Sequence, residues 1–271
     1  MAFFERAGGM YFKTISSILE NRELIWEMAF RDLKGTNKGA ILGFLWVAIS
    51  PLIQVAAYVI IVSFIFKAKL NSGAGTFDYA LYVLSGMIPW QVMTRSISEA
   101  PMLIRSNTEI VKQIIYPIET LPLTNLLVGS FGGLVNFIIF LVLFLIIGHV
   151  RWTLIFLPLP IFFLLLFILG ISWIFSVTGV ILKDLREMVT VILMLMVYFS
   201  PVLLNDSMVG KSIWRLIMVN PLSHIIISFR DVFWGSFHFW SWVIFVFMSI
   251  GVFLLGHFVI TKAKRIINEY I

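Results

Sequence analysis

The chain has 271 residues, 60% of them hydrophobic and 13% charged, with a mean hydropathy of +1.00 and no cysteine. Soluble domains carry about 25% charged residues, so this is the composition of a polytopic membrane protein, without disulfides or thiol chemistry. The formal charge of +6 fits basic cytoplasmic loops beside anionic headgroups and calls for no nucleic acid partner.

The N-terminus, MAFFERAGGMYFK, lacks a long apolar core, so no cleavable signal peptide is expected and insertion falls to the spans. Residues 16–34 predict an amphipathic helix. Glu20, Glu23, Glu27, Arg31 and Lys34 share one face of a helical wheel. Leu24, Ile25, Met28, Ala29 and Leu33 lie opposite, with Trp26 and Phe30 at the edge. Glu27 precedes Arg31 by four residues, the favourable order for a helical ion pair. Such a helix lies on a membrane surface or packs on a soluble partner. Span one is expected over 41–66, kinked at Pro51 and carrying Gln54. Span two, 79–98, is the least apolar and has Pro89 in its middle, so much of its surface should meet protein rather than lipid.

Ser106 and Glu109 have capping-box spacing ahead of Ile110-Val111, which predicts a short helix over 107–116 stopped by Pro117. It is too short and polar to span, and reads as a docking helix. Span three, 121–147, contains Gly129, Gly132 and Gly133, which allow close helix approach, and one strongly polar deep side chain, Asn136. A tight turn at 149–152 makes spans three and four (153–182) an antiparallel hairpin. A charged break, Lys183 to Glu187, precedes span five, 189–204, with Tyr198, Phe199, Ser200 and Pro201. The stretch 206–235 carries Lys211, Arg215, Arg230 and Asp231 and is cut at Asn220-Pro221. Each half is about half the ~20 residues a span needs, so a pair of short helices that dips into the bilayer and returns is expected. Arg215, Arg230 and Asp231 could pair there to hold it shut. Span six, 239–260, is followed by basic Lys262, Lys264 and Arg265.

Six spans put both termini on one side. Fourteen Lys and Arg then fall with the termini, against six on the other side (Lys67, Lys69, Arg151, Lys211, Arg215, Arg230), so the termini are read as cytoplasmic. The 107–116 helix is then internal and the 206–235 pair external. Ionisable groups are nearly absent from span middles, which argues against an ion-coupled carrier. No GxxxxGK[ST] loop, HExxH, GxSxG or Cys/His metal spacing occurs, and no catalytic or metal-binding residue is assigned. The chain reads as a passive pathway that takes its energy from a partner docked on its cytoplasmic side.

The order of motifs resembles the membrane subunit of ABC exporters that move polysaccharides such as O-antigen, capsule or teichoic acid. The matching patterns are Gly43-Phe44-Leu45-Trp46 with Ser50-Pro51-Leu52, Gly86-Met87-Ile88-Pro89-Trp90, and Asn107 through Tyr116-Pro117 with Leu121-Pro122. Lys183-Asp184-Leu185-Arg186, Ser200-Pro201-Val202, and Asn220-Pro221-Leu222 with Arg230 follow. Such proteins more often have Arg-Asp where this chain has Lys183-Asp184. The resemblance implies an all-α membrane domain of six transmembrane helices in a bacterial cytoplasmic (inner) membrane, paired as a homodimer. It implies two copies of a cytoplasmic ABC ATPase subunit, which bind ATP and Mg, with no cofactor in this chain. Residues 107–116 would be the coupling helix, with Asn107, Thr108, Glu109 and Lys112 facing the ATPase, and Glu27 and Arg31 of the interface helix near it. Arg31, Lys34 and Lys38 would attract the anionic headgroup of an undecaprenyl-diphosphate-linked glycan. Trp46, Tyr58, Trp90, Tyr198 and Phe199 are candidate channel aromatics, because aromatic faces stack on sugar C–H surfaces. Arg215, Asn220, Pro221, Arg230 and Asp231 would belong to an external gate. An ABC permease for another lipid or drug, and an integral membrane glycosyl- or acyltransferase, are the alternatives.

Overall fold

The computed structural model describes residues 16–35, 45–60, 76–109, 117–148, 151–206 and 208–270, and every regular element among them is helical. A helical turn at 16–20 breaks at Asn21, and α1 follows over Arg22–Gly35. Then come α2 (Trp46–Ile60) and α3 (Thr76–Glu99), extended by a 3-10 turn (Ala100–Met102) and the one-turn α4 (Leu103–Ser106). The rest is α5 (Thr120–Ile146), a 3-10 turn (Trp152–Phe156), α6 (Pro158–Ile181), α7 (Leu185–Met196), α8 (Lys211–Val219), α9 (Pro221–Trp234) and α10 (Phe239–Tyr270). The expected coupling helix is described only through Glu109. Lys38, Lys112 and both ends of span one (41–44 and 61–66) lie outside the described residues.

Among the described residues three stretches are long and apolar enough to cross a membrane: Thr120–Ile146, Trp152–Ile181 and Phe239–Lys264. The α8–α9 pair meets the same criterion as a unit, but is bent by 103°. Among the described residues, length and composition therefore give three or four candidate spans, while the two ends of the expected span one lie outside them. α3 has the length but not the apolarity. It runs unbroken through Pro89, and from Tyr79 to Met93 almost every side chain is buried, so its polar residues meet protein.

Glycines set the helix contacts. A Cβ on Gly170 would stand 2.6 Å from the Phe253 backbone, and one on Gly256 would stand 2.1 Å from the Gly170 carbonyl, so α6 and α10 touch backbone to backbone. Gly179 meets Pro101 in the same way. Between α3 and α5, Gly129 accommodates Ser96 and Gly133 accommodates Val92. Gly132 has nothing within 4 Å of its Cβ position, and it opens space rather than closing a contact.

Polar contacts tie the helix ends together in two groups. At one end Arg186 donates from Nη2 to both Glu99 oxygens (2.8 and 3.1 Å), joining α7 to α3. There also the buried Glu119 Oε1 accepts from Lys264 Nζ at 2.6 Å and from Ser17 Oγ at 3.1 Å. At the other end Thr153 donates to the Val232 carbonyl at 2.6 Å and Tyr79 to that of Leu203 at 2.6 Å.

Three local expectations change. Ser106 does not act as an N-cap: its hydroxyl donates back to the Met102 carbonyl at 2.8 Å, because α4 already occupies the preceding turn. Arg31 pairs with Asp32 (3.1 Å) rather than with Glu27. Span five is helical only to Met196, within the predicted 189–204. Residues 197–202 form turns, where Ser200 donates to the Val197 carbonyl at 2.9 Å and Pro201 has no N–H to continue a ladder.

Candidate transport groove

α2, α3, α5 and α7 enclose a groove of about 730 Å³. Its wall combines indoles, amides and hydroxyls. Trp46, Trp90 and Tyr198 supply aromatic surface; Ser50, Gln54, Gln91, Thr94, Ser98, Asn136 and Thr190 supply polar groups. Three amides form a chain across it. Asn136 Nδ2 donates to Gln91 Oε1 at 2.6 Å, and Gln91 Nε2 donates to Gln54 Oε1 at 3.2 Å. The chain links α5, α3 and α2, which fixes the side chains and keeps polar atoms in a helix bundle satisfied. The Asn136 carbonyl oxygen is buried and has no partner among the described residues. Gly132 lies on the wall and leaves it wide.

Two further cavities adjoin. One of about 380 Å³ is polar and lies among α1, the end of α3, α4 and the start of α5, with Asp32, Arg95, Glu99, Asn107 and Asn125 on its wall. The other, about 320 Å³, is nearly all apolar, lined by Trp26 and Phe30 of α1 and by Pro89, Phe137 and Phe229. The α3–α5 contact at Val92 and Gly133 stands between it and the groove.

The α8–α9 pair packs on this bundle through α9, which meets α3 and α10. Asn220 caps α9, its side chain accepting from Leu222 N at 3.0 Å and donating to the Phe199 carbonyl at 3.0 Å. Pro221 follows at the first helical position, where a missing N–H costs nothing. Arg230, only 4% exposed, does not pair with Asp231 or Arg215. It donates to the carbonyls of Pro201, Val202 (2.7 Å) and Tyr82 (3.1 Å), and its guanidinium lies 3.5 Å from the centre of the Tyr82 ring. Gly86 makes room for it: a Cβ there would be 2.9 Å from Arg230 Nη2. The turn 197–202 is thus held to α3 and α9 by one cation. Asp231 serves the α9–α10 connection instead. It accepts from Ser236 Oγ (2.8 Å), His238 N (2.7 Å) and Trp242 Nε1 (3.0 Å), and His238 Nδ1 lies 2.7 Å from its Oδ1. The hydrogen bond to Asp231 raises the His238 pKa above the ordinary histidine value, against partial burial. Arg215 is exposed on α8.

The family model for the ABC-2 type transporter membrane domain matches residues 23–234. The chain belongs to this ABC-2 transporter family. Among curated relatives of the ABC-2 chain, an O-antigen export system permease protein RfbA of Klebsiella pneumoniae is 26% identical over 248 residues, covering 89% of this chain and 92% of the relative. An RfbA of Myxococcus xanthus is 24% identical, covering 82% and 84%. The polysialic acid transport protein KpsM of Escherichia coli is 24% identical, covering 70% and 73%.

In the ABC-2 chain the structure gathers Trp46, Trp90 and Tyr198 on one groove. Phe199, next to Tyr198 in sequence, is exposed but is not on the groove wall, and the side chain of Tyr58 lies outside the described residues. Glu27, Arg31 and Lys34 are on the exposed face of α1, with Lys34 Nζ 4.4 Å from the Phe30 ring centre. Asn107 donates to the Leu103 carbonyl at 2.8 Å, and Thr108 donates to that of Arg105 at 2.8 Å, while Glu109 is exposed. Sequence reasoning did not assign Gln91 or Arg95 to the site; Gln91 is two residues from Pro89 on the span already marked as protein-facing.

Proposed function

We propose that the chain is the channel-forming permease subunit of an ABC exporter that moves a lipid-linked polysaccharide, of the O-antigen, capsule or teichoic acid kind, across the bacterial cytoplasmic membrane. The groove carries this reading. A glycan presents apolar C–H faces and many hydroxyls, and the wall offers Trp46 and Trp90 for the first and the Gln54–Gln91–Asn136 amides for the second. A wall of amides gives a chain of sugars many weak, exchangeable hydrogen bonds and no deep trap. The names of the relatives, O-antigen export and polysialic acid transport, favour the same cargo.

The groove of one chain is open, and in this account two copies set their grooves about a common axis. Both termini are cytoplasmic on the charge count, so the end bearing Glu119 and Lys264 faces the cytoplasm. Two ATPase subunits dock there on the 107–116 segment, with Asn107, Thr108, Glu109 and Lys112, and near Glu27 and Arg31 of α1. Arg31, Lys34 and Lys38 attract the diphosphate of the lipid carrier. The bent α8–α9 pair, with Arg215 and the Asn220-Pro221 break, closes the outer mouth, and Arg230 holds the preceding turn in place.

The test is genetic and biochemical together. A strain lacking this chain should lose its surface glycan and regain it from a plasmid copy. Glu109→Lys should restore little glycan and uncouple ATP hydrolysis in the purified complex. A deletion strain with normal surface glycan would overturn the cargo.

A further inference from the structure

Arg95 lies on the wall of both the 730 Å³ groove and the 380 Å³ polar cavity, with Val128 opposite on α5. Among the described residues it is the one Lys, Arg, Asp or Glu on the groove wall. Its side chain makes no ion pair or hydrogen bond among the described residues, although Glu99 stands one turn further along α3. Glu99 is held by Arg186 through both carboxylate oxygens, and Asp32, across the polar cavity, is bonded by Arg31. Both neighbouring carboxylates are thus committed elsewhere, and an exposed guanidinium is left at the neck between two chambers. The described wall of the groove beyond it is neutral.

We propose that Arg95 is the substrate-anion site of this permease, binding the diphosphate that joins glycan to lipid while the neutral sugars extend along Trp46, Trp90 and the amide chain. This rests on the cargo proposed above. A single cation at one end of a neutral polar groove complements a molecule whose charge is concentrated at one end. A guanidinium matches phosphate oxygens with two parallel donors, which an ammonium cannot do. Because Arg95 is exposed and has no partner among the described residues, its removal strands no described buried group, and the fold should survive.

The experiment uses the permease–ATPase complex in nanodiscs. ATP hydrolysis is titrated with undecaprenyl diphosphate, undecaprenyl phosphate and phosphatidylglycerol, for the native chain, Arg95→Gln, Arg95→Lys and a control, Arg105→Gln, on α4 away from the groove wall. The native complex should respond at the lowest concentration to the diphosphate. Arg95→Gln should raise the half-maximal concentration for the diphosphate about tenfold, the scale of one charged hydrogen-bonding contact, and abolish the preference over the monophosphate. Arg95→Lys should keep part of it, and Arg105→Gln all of it. Unchanged titrations in Arg95→Gln, or equal responses of the native complex to phosphatidylglycerol and the diphosphate, would overturn the proposal. Surface glycan separates the two levels: if the native chain restores it in the deletion strain and Arg95→Gln restores it at an equal rate, Arg95 fails and the cargo stands. If the native chain restores none, the cargo itself fails.

Discussion

Gly86→Ala tests how the Arg230 clamp is built. The new Cβ would lie 2.9 Å from Arg230 Nη2 and 3.1 Å from Ile226 Cγ2. The crowded nitrogen is the one that donates to Tyr82 and Val202, so the guanidinium cannot retreat without stretching two of its three bonds. Shifting α9 instead would disturb a helix whose residues 223–233 are all buried. Overpacking a filled site costs about 1–3 kcal/mol, and a hydrogen bond to a charged group contributes about 1.5–3 kcal/mol. Either route gives about 2 kcal/mol, a fall in Tm of about 4–8 °C for a chain of this size. The assay is a thermal scan in nanodiscs, run as a double-mutant cycle with Arg230→Met. Arg230→Met alone should cost more than Gly86→Ala, because three buried carbonyls lose their donor. On that background Gly86→Ala should cost less than about 1 kcal/mol, since the clash is gone. Equal costs in both backgrounds, or a shift under about 1 °C for Gly86→Ala, would refute the clamp.

The α9–α10 connection should weaken with rising pH. The His238 pKa is raised by its hydrogen bond to Asp231, so the stabilising contribution is complete below the ordinary histidine value near 6.5 and is lost as pH climbs through the raised one. With the imidazole 59% exposed, the effect should stay below about 1 kcal/mol; His238→Gln should flatten that part of the Tm–pH profile, and an unchanged profile counts against the contact. Glu119 and Lys264 should respond unequally. Lys264→Met leaves a buried carboxylate uncompensated, at a cost of about 3–5 kcal/mol, whereas Glu119→Gln frees a lysine that is 43% exposed and should cost less. The double variant should recover part of the Lys264→Met loss, as read by thermal unfolding.

Much of the architecture is legible in local sequence. Asn220-Pro221 announces a cap followed by a first-turn proline, and the chain bends by 103° there. The weak apolarity of α3 marks it as protein-facing, and the buried row from Tyr79 to Met93 explains why. Long-range polar pairing was not legible. Arg230, Asp231 and Arg215 invite mutual pairing, yet the acceptors of Arg230 are backbone carbonyls on Tyr82, Pro201 and Val202, which no side-chain pattern reports. The glycines on α5 show the same limit. Gly129 and Gly133 receive side chains of α3, while Gly132, beside them in sequence, faces open space. Only the helix phase relative to α3 decides which is which. The Ser106–Glu109 spacing misled because a helical turn upstream had already taken the serine hydroxyl.

Gly132 also gives the most direct test of the groove as the glycan path. A Cβ there would meet nothing within 4 Å, and Gly132 lies on the groove wall, so a larger side chain is expected to project into the groove. Surface glycan is measured in the deletion strain carrying Gly132→Ala or Gly132→Trp, with thermal unfolding and ATPase binding as controls. The account predicts that both variants fold and bind the ATPase, that Gly132→Ala exports normally, and that Gly132→Trp blocks export. Normal surface glycan from a folded Gly132→Trp chain would contradict it.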